Sequence, residues 1–229
     1  MLPGMSGVLA GIVEDGTFSA SYIGNTQDPA DLTTYTFSGV DVGSAHSQRD
    51  VFVLVNWAAG VTNRTISSAT IGGVAATVHR QAGLTDGVSQ SIGSGIISAA
   101  VPSGTTATIA ITFSGLAQLC VIGVVRVVNK TAITDTAIAN YTGANPNNPS
   151  TNINVGANGA LLACVTSSAQ ADNIVWTGAT EQYENTDGNY RYSGALSSGL
   201  SLQAARPIST SQTSATQPSG GTLTAVSIN

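Results

Sequence analysis

The segment ATIAITFSGLAQLCVIGVVRVV, residues 107–128, decides between a membrane helix and a β fold. It carries one charge, Arg126, and is long enough to cross a bilayer as a helix, which needs about 20 apolar residues. In its first part, however, Thr or Ala separates apolar residues at every second position, namely Ala107, Ile109, Ile111 and Phe113. A period of two indicates a strand with one buried face.

The second part of this segment has a different pattern. Ser114-Gly115 interrupts the alternation, as turn residues do. Residues 119–128 are then rich in Val and Ile and apolar on both faces, which is typical of a central strand covered on both sides. We therefore predict two strands joined by a short turn, and not a helix that spans a membrane.

Similar strand-like segments recur along the chain between hairpin-type turns such as Asn158-Gly159 and Asp187-Gly188. In the first half they are Phe18–Ile23, Thr33–Phe37, Val51–Trp57, Thr65–Ile71, Ala75–His79, Ser91–Ala99, Thr105–Phe113 and Leu119–Val128. In the second half they are Thr151–Val155, Ala160–Thr166, Ile174–Thr177, Thr180–Tyr183, Tyr190–Ala195, Leu200–Ala204 and Thr222–Ile228. The pattern predicts an all-β, antiparallel β-sandwich of jelly-roll or Greek-key type.

The order of these segments repeats within the chain. RDVFVLVNW, TISSATIGGVAATVHR and SQSIGSGIISAAVP have weak counterparts in NGALLACVTS, NIVWTGATEQYE and YRYSGALSSGLSLQAARP. We therefore divide residues 17–229, the predicted β-sandwich domain, into pseudo-repeated halves of about 17–129 and 136–229, which form either one sandwich or two packed side by side. Residues 141–152 are predicted to be a polar loop, and residues 206–221 a mobile polar loop or an exposed edge segment.

Charged residues are scarce, at 8% of the chain, while 42% of the residues are hydrophobic. The formal net charge is −5, and the seven Lys and Arg are scattered along the sequence. Nucleic-acid binding and polybasic membrane anchoring both need clustered cations. We therefore expect neither nucleic acid nor membrane as a partner.

Residues 1–16 form a separate, apolar N-terminal segment. No Lys or Arg precedes its apolar part, so it does not match a secretory signal peptide. It is either a frayed terminus or an arm that packs on a neighbouring subunit, since exposed apolar side chains are costly unless something covers them. The contact residues of such an arm would be Leu2, Val8, Leu9, Ile12 and Val13.

The two cysteines, Cys120 and Cys164, both lie in apolar strand patterns. They are interpreted as buried thiols, with a bridge between neighbouring strands as the alternative. The two histidines, His46 and His79, have no ligands at metal-binding spacing.

No motif for a nucleophile, a phosphate loop or a metal centre occurs in the sequence. Glu181 and Glu184 are three residues apart, so on a regular strand they point to opposite faces and do not form an acid–base pair. We therefore expect no catalytic residues, no metal and no cofactor, and predict that the protein is not an enzyme.

Aromatic residues are few but cluster in the second half, at Trp176, Tyr183, Tyr190 and Tyr192. Aromatic rings beside hydroxyl and amide groups could stack on a sugar. Alternatively, the tryptophan lies in the core and the tyrosines line a sheet with their hydroxyls in water.

Three segments carry a resemblance: TYTFSGVDVGSAHSQRDVFVLVNW (34–57), RTISSATIGGVAAT (64–77) and AAVPSGTTATIAITFSG (99–115). This region, about Thr33 to Phe113, resembles β-sandwich or jelly-roll accessory virion proteins of tailed bacteriophages and gene transfer agents. The shared features are the S-G-V-D-x-G turn before an Arg-led apolar strand and the strand pair that follows. They are features of a fold, and no functional residue carries over from them.

The resemblance implies a non-enzymatic structural protein of the virion, assembled in the host cytoplasm. It would act as a capsid decoration (cement) protein or as part of a head spike or fibre. Its partners would be the major capsid protein or other virion proteins, and it would form a homo-oligomer, with a trimer favoured. The alternative is a carbohydrate-binding module that adheres to a host-surface glycan through the four aromatic residues.

Overall fold

The computed structural model describes residues 16–85, 89–143, 148–168, 173–188, 190–212 and 219–229, all of which lie in strands or in the loops between them. Residues 1–15, which hold the predicted arm residues Leu2, Val8, Leu9, Ile12 and Val13, lie outside the described part. Among the described residues, no helix is long and apolar enough to cross a membrane.

Residues 19–128 form nine strands. They are β1 (Ser19–Asp28), β2 (Leu32–Asp41), β3 (Arg49–Ala59), β4 (Ile66–Ile71), β5 (Val74–Ala75), β6 (Thr77–Thr85), β7 (Ser91–Ala100), β8 (Thr106–Ala117) and β9 (Leu119–Val128). They build two antiparallel sheets, inner sheet 1 in the order β1-β9-β3-β7-β6 and outer sheet 1 in the order β2-β8-β4-β5. Most consecutive strands change sheet, which is the topology of a jelly roll.

Residues 133–228 form the other eight strands. They are β10 (Ile133–Gly143), β11 (Ser150–Val155), β12 (Gly159–Ser167), β13 (Val175–Thr177), β14 (Glu181–Asp187), β15 (Tyr190–Leu200), β16 (Gln203–Ser211) and β17 (Ser219–Ile228). Inner sheet 2 has the order β10-β17-β12-β15-β14, and outer sheet 2 has the order β11-β16-β13. Strand for strand, this is the order of the first set, without a counterpart of the two-residue β5. The chain thus contains the same jelly-roll topology twice.

The four sheets stack as layers, with the two inner sheets face to face. Each gap between neighbouring layers is filled by a separate cluster of buried apolar side chains. Because both inner sheets are covered on both faces, their central strands are mostly apolar and buried along nearly their whole length, whereas the outer sheets alternate between buried and exposed residues. The predicted all-β, antiparallel sandwich fold is confirmed.

The quoted segment 107–128 behaves as its pattern predicts. In β8 the alternate residues Ala107, Ile109, Ile111 and Phe113 are buried. In β9 alternate residues enter two different cores, Ile122 towards outer sheet 1 and Val121 towards inner sheet 2. The turn, however, lies at Gln118 and not at Ser114-Gly115: β8 continues through an irregular stretch to Ala117, and the chain then passes into the other sheet.

One strand was not predicted, and another was predicted only at its start. Residues 133–143 lie between the last strand predicted in the first half and the first predicted in the second, and 141–143 fall in the predicted loop, but they form β10, which pairs with β17 along its whole length. The predicted polar loop at 206–221 was also wrong over Arg206–Ser211, which belongs to β16, the central strand of outer sheet 2, and over 219–221, which begin β17. Pro207 lies there beyond the last pair with β13, so the ladder on that side needs no N–H from it.

The two inner sheets cross with approximate two-fold symmetry. Strand β3 lies over its counterpart β12, and β7 lies over β17. Side-chain hydrogen bonds that join Asn25 and Gln27 to Asn185 place β1 over β14. The two-fold relation maps the crossing of β7 and β17 onto that of β9 and β15, and the crossing of β1 and β14 onto that of β6 and β10. Contacts that mark these crossings are Asn56 to Thr166, Ser94 to Thr224, Asn25 to Asn185, the Tyr183 ring between Gly123 and Gly194, and Asn140 to the carbonyl of Gly83.

Candidate functional site

The four aromatic residues of the predicted glycan surface do not lie on one surface. Tyr183 and Tyr192 are 7% and 0% exposed and pack between the two inner sheets, with Tyr190 partly buried beside them. Trp176 lies on the other side of inner sheet 2, partly buried in the core below outer sheet 2. Its indole Nε1 donates a hydrogen bond of 2.8 Å to Oγ of Ser193. A sugar could not reach Tyr183 or Tyr192 without separating the repeats.

Tyr183 instead holds the two repeats together. Its hydroxyl donates to Oδ1 of Asn56 over 2.9 Å, and both groups are buried. The ring lies between two glycines of facing strands, Gly123 in β9 and Gly194 in β15, and a Cβ atom at either position would overlap it. The sequence places a tyrosine in a strand, but only the crossing of two distant strands reveals the glycine gap that receives it.

Polar groups continue along this contact between the repeats. Asn56 donates from Nδ2 to Thr166 Oγ1 over 2.9 Å, and that hydroxyl donates to the carbonyl of Gly93 over 2.7 Å. Further along, the hydroxyls of Ser94 and Thr224 lie 2.8 Å apart. These buried groups satisfy one another across the interface, so they fix how the sheets register as well as how tightly they pack.

The two thiols lie in different layers. Cys120 belongs to the core between inner and outer sheet 1, and Cys164 to the core between the inner sheets. Both are free and buried, so the bridge between them that the sequence left open does not form. Burial raises the pKa of Cys164 to about 12, which keeps it a protonated thiol at neutral pH.

Glu181 and Glu184 point to the same face, contrary to the sequence-based expectation. The register of β14 against β15 shifts between Glu181 and Tyr183, a β-bulge that resets the alternation. Glu181 accepts a hydrogen bond of 2.7 Å from Ser193 Oγ, and Glu184 forms an ion pair with Arg191. Nothing in the local sequence marks this bulge.

These carboxylates line an open polar cleft of about 410 Å³ at the edge of inner sheet 2. Burial raises the pKa of Glu181, while the Ser193 hydrogen bond opposes that shift. Glu184 has both oxygens engaged, since the second accepts from the backbone N–H of Ile174 over 2.7 Å. Glu184 therefore holds Ile174, the residue before β13, in place. Of the two carboxylates, Glu181 is the one exposed to solvent.

The S-G-V-D-x-G turn and the arginine after it form a structural clamp. The Asp41 carboxylate accepts from the N–H of Gly43, which has a φ of 75°. Arg49 is 1% exposed, and its guanidinium donates only to backbone carbonyls. The acceptors are Val101, Gly43, Ser103 and Gly104 at 2.6–2.9 Å, with Val42 at 3.5 Å. The residues that carry the family resemblance thus tie two loops to the start of β3.

The outward faces of the outer sheets are polar but nearly uncharged. In outer sheet 1, cross-strand register aligns Thr34 with Thr112 and Ser68, and Thr36 with Ala110 and Thr70. In outer sheet 2, Ser150, Ser209 and Thr177 form a similar row. The strands of these two sheets carry two charged residues, Asp41 and Arg206. Any contact made by these faces relies on hydroxyl groups and surface burial.

The histidines have local roles. His46 Nδ1 accepts from the backbone N–H of Gln48 over 3.1 Å, in the loop before β3. His79 stacks on Phe52 with ring centroids 5.4 Å apart, and its Nε2 lies 2.8 Å from Ser98 Oγ. Within the described ranges, no three His, Cys, Asp or Glu side chains are grouped closely enough to hold a metal ion.

No protein-family model, curated protein or solved structure matches this chain.

Proposed function

We propose that the protein is a non-enzymatic structural component of a tailed-phage virion, either a capsid decoration protein or part of a head spike. The observation that carries the proposal is the stack of two jelly rolls with nearly uncharged outer faces. Jelly rolls are common in viral shells. Two of them fused through a buried interface form a rigid block that presents two broad faces in opposite directions.

The pattern of contacts suits a static role. Buried side chains of both repeats meet in the central core, and polar contacts such as Asn56 to Thr166 fix their alignment. A decoration protein has to hold its shape outside the cell, where it cannot be replaced. The proposed partner is the major capsid protein or another virion protein, and the proposed assembly is a homo-oligomer, with a trimer favoured.

The proposal is tested on particles from the producing host. Quantitative mass spectrometry of gradient-purified particles should detect the protein, in hundreds of copies for a decoration protein and in a handful for a spike. Absence of the protein from the particles, while it is present in the lysate, would overturn the proposal.

The chemistry of attachment gives a second measurement. Because the outer faces lack charge clusters, the protein should stay on the particle in 1 M NaCl, where electrostatic interactions are screened within about 3 Å. The control for particle integrity is the major capsid protein, which should still sediment with the particles in the same salt. Release of the protein from intact particles by salt alone would exclude the proposed mode of attachment.

A further inference from the structure

Strand β2 is a long edge strand whose protection against pairing lies towards its ends: Asp41 is its last residue, and register shifts lie between Leu32 and Thr34 and between Phe37 and Val40. Exposed edges usually carry charges, proline or a cap, or are kept short, because their free N–H and C=O groups otherwise recruit another strand. Residues 33–40 of β2 contain only hydroxyl, aromatic and small apolar side chains. In the described parts of the chain, their backbone groups pair with β8 alone.

The other edges are shielded in different ways. The inner-sheet edges β6, β10 and β14 carry charged residues within the strand, and β1 ends in Asp28. In outer sheet 2, the Asp135 carboxylate accepts from the N–H of Asn154 in β11 over 2.8 Å. Strands β13 and β5 have three and two residues. Residues 33–37 of β2 carry no charge and therefore present edge-facing backbone groups with which an added strand can pair.

A groove next to β2 would receive the side chains of an added strand. It has a volume of about 380 Å³ and is lined by Gly24 of β1 and by Phe37 and Val40 of β2, among others. It lies where β2 bulges at Ser38-Gly39, with Gly39 at a φ of 66°. The lining also includes Asn25, Thr26 and Asp41, so the groove and the edge together fit an extended segment with small side chains and no negative charge.

The chain contains such a segment outside the described residues. Residues 8–13, VLAGIV, consist of five apolar residues and one glycine and carry no charge. The described residues begin at Gly16. Ser19 and Arg49 both pair with Val128, and Arg49 bonds to the carbonyl of Gly43, just after the end of β2. The described N-terminal end and the C-terminal end of β2 therefore lie at the same end of the sandwich. At about 3.3 Å per residue, an extended arm of this length reaches a neighbouring molecule.

We propose that residues 8–13 of one copy add to the β2 edge of a neighbouring copy as an antiparallel strand. A neighbouring copy is preferred because an arm that reaches β2 of its own chain from Gly16 would run parallel to it. All the described pairs are antiparallel. Antiparallel addition supplies main-chain hydrogen bonds, while the groove selects side chains at alternate positions. This inference concerns the purified protein and does not depend on a virion.

The test compares the full-length protein with three variants. Ile12→Asp places a charge on the arm, and Thr36→Lys places one on the β2 edge. Thr108→Lys is the matched control, because Thr108 is exposed on the same face but belongs to the central strand β8. Light scattering gives the mass over a concentration series, and hydrogen exchange gives the protection of the amides of residues 33–37.

The full-length protein and Thr108→Lys should be oligomeric, with protected amides in β2. Ile12→Asp and Thr36→Lys should both yield monomers in which exchange of the edge-facing amides rises by at least tenfold. A monomeric full-length protein overturns the proposal, as does unchanged exchange in Ile12→Asp. If Thr36→Lys dissociates the oligomer and Ile12→Asp does not, the occupant is a second β2 strand and the arm is excluded.

Discussion

Tyr183 and Asn56, which are 127 residues apart in sequence, share a buried hydrogen bond of 2.9 Å that joins the two repeats. Asn56 also donates from Nδ2 to Thr166, so both the oxygen and the nitrogen of its side-chain amide form hydrogen bonds across the interface. The contact lies near the approximate two-fold axis, where the two inner sheets meet. The stability of the whole stack therefore depends on how well this region is satisfied and packed.

Tyr183→Phe removes the donor and leaves Oδ1 of Asn56 buried without it. An unsatisfied buried acceptor costs about 1–3 kcal/mol, so the free energy of unfolding in denaturant should fall by that amount. Tyr22→Phe is the control, because the Tyr22 hydroxyl bonds to Asn25 at the exposed edge and its loss should cost well under about 1 kcal/mol. Equal effects of the two substitutions would argue against this role for Tyr183.

Gly194→Ala tests the glycine gap around the Tyr183 ring. The added methyl group would overlap the ring and also approach Leu54, so the inner sheets must shift. Overpacking of this kind costs about 1–3 kcal/mol, measured as a lower denaturation midpoint. Gly60→Ala, at a turn where a Cβ meets nothing within 4 Å, should leave the midpoint nearly unchanged. A neutral Gly194→Ala would contradict the described packing.

Arg49→Lys tests the clamp that holds the loops before β3 and after β7. Lysine cannot reproduce a planar fork that reaches several carbonyls, so buried acceptors lose their donors. We expect a loss of about 3 kcal/mol or more, visible in the urea midpoint. Arg64→Lys is the matched substitution, because the one hydrogen bond that its Nε makes, to the Leu116 carbonyl, is exposed. If the clamp does not stabilise the fold, Arg49→Lys and Arg64→Lys will lower the urea midpoint by the same small amount.

His79 makes stability depend on pH. Its pKa is lowered by burial and by Lys130, an effect that Asp50 partly opposes. Since the unfolded chain binds the proton more readily than the folded chain, stability is complete above about pH 6.5 and falls as the pH drops through the folded pKa. His79→Gln keeps a polar side chain that does not titrate.

The measurement for His79 is the urea midpoint at pH 7.5 and pH 5.0. The loss between these two values should be smaller in His79→Gln than in the unchanged protein. If His79→Gln loses as much stability on acidification as the unchanged protein, another group is responsible.

Local patterns sufficed for the parts of the fold that follow from burial on one or both faces. Strand β9 was readable because both faces are apolar, and β8 because its faces alternate. Strand β10 and most of β16 were missed because they mix small and polar residues, with Pro207 inside the latter. Their pairing is set by partners far along the chain, and no short window contains that information.

The candidate sites were less accessible to sequence reasoning. The bulge in β14 reverses the side on which Glu181 projects, and one such step defeats an argument from alternation. The burial of Tyr183 and Tyr192 follows from the second jelly roll packing on the first, which depends on the shape of both sheets. The clamp around Arg49 could be noted as a motif, but its purely carbonyl partners lie in two separate loops.

The segment between the repeats has one more consequence. The backbone N–H groups of Thr131 and Ala132 donate to the carbonyl of Asn229, and Asn129 Nδ2 donates to the carbonyl of Thr17. The start of the first jelly roll and the end of the second thus meet at the crossover from one to the other. Circular permutation, with a short linker from 229 to 17 and new termini at 130, would keep every sheet intact. We therefore expect a permuted protein, in which the second jelly roll is synthesised first, to form the same four sheets.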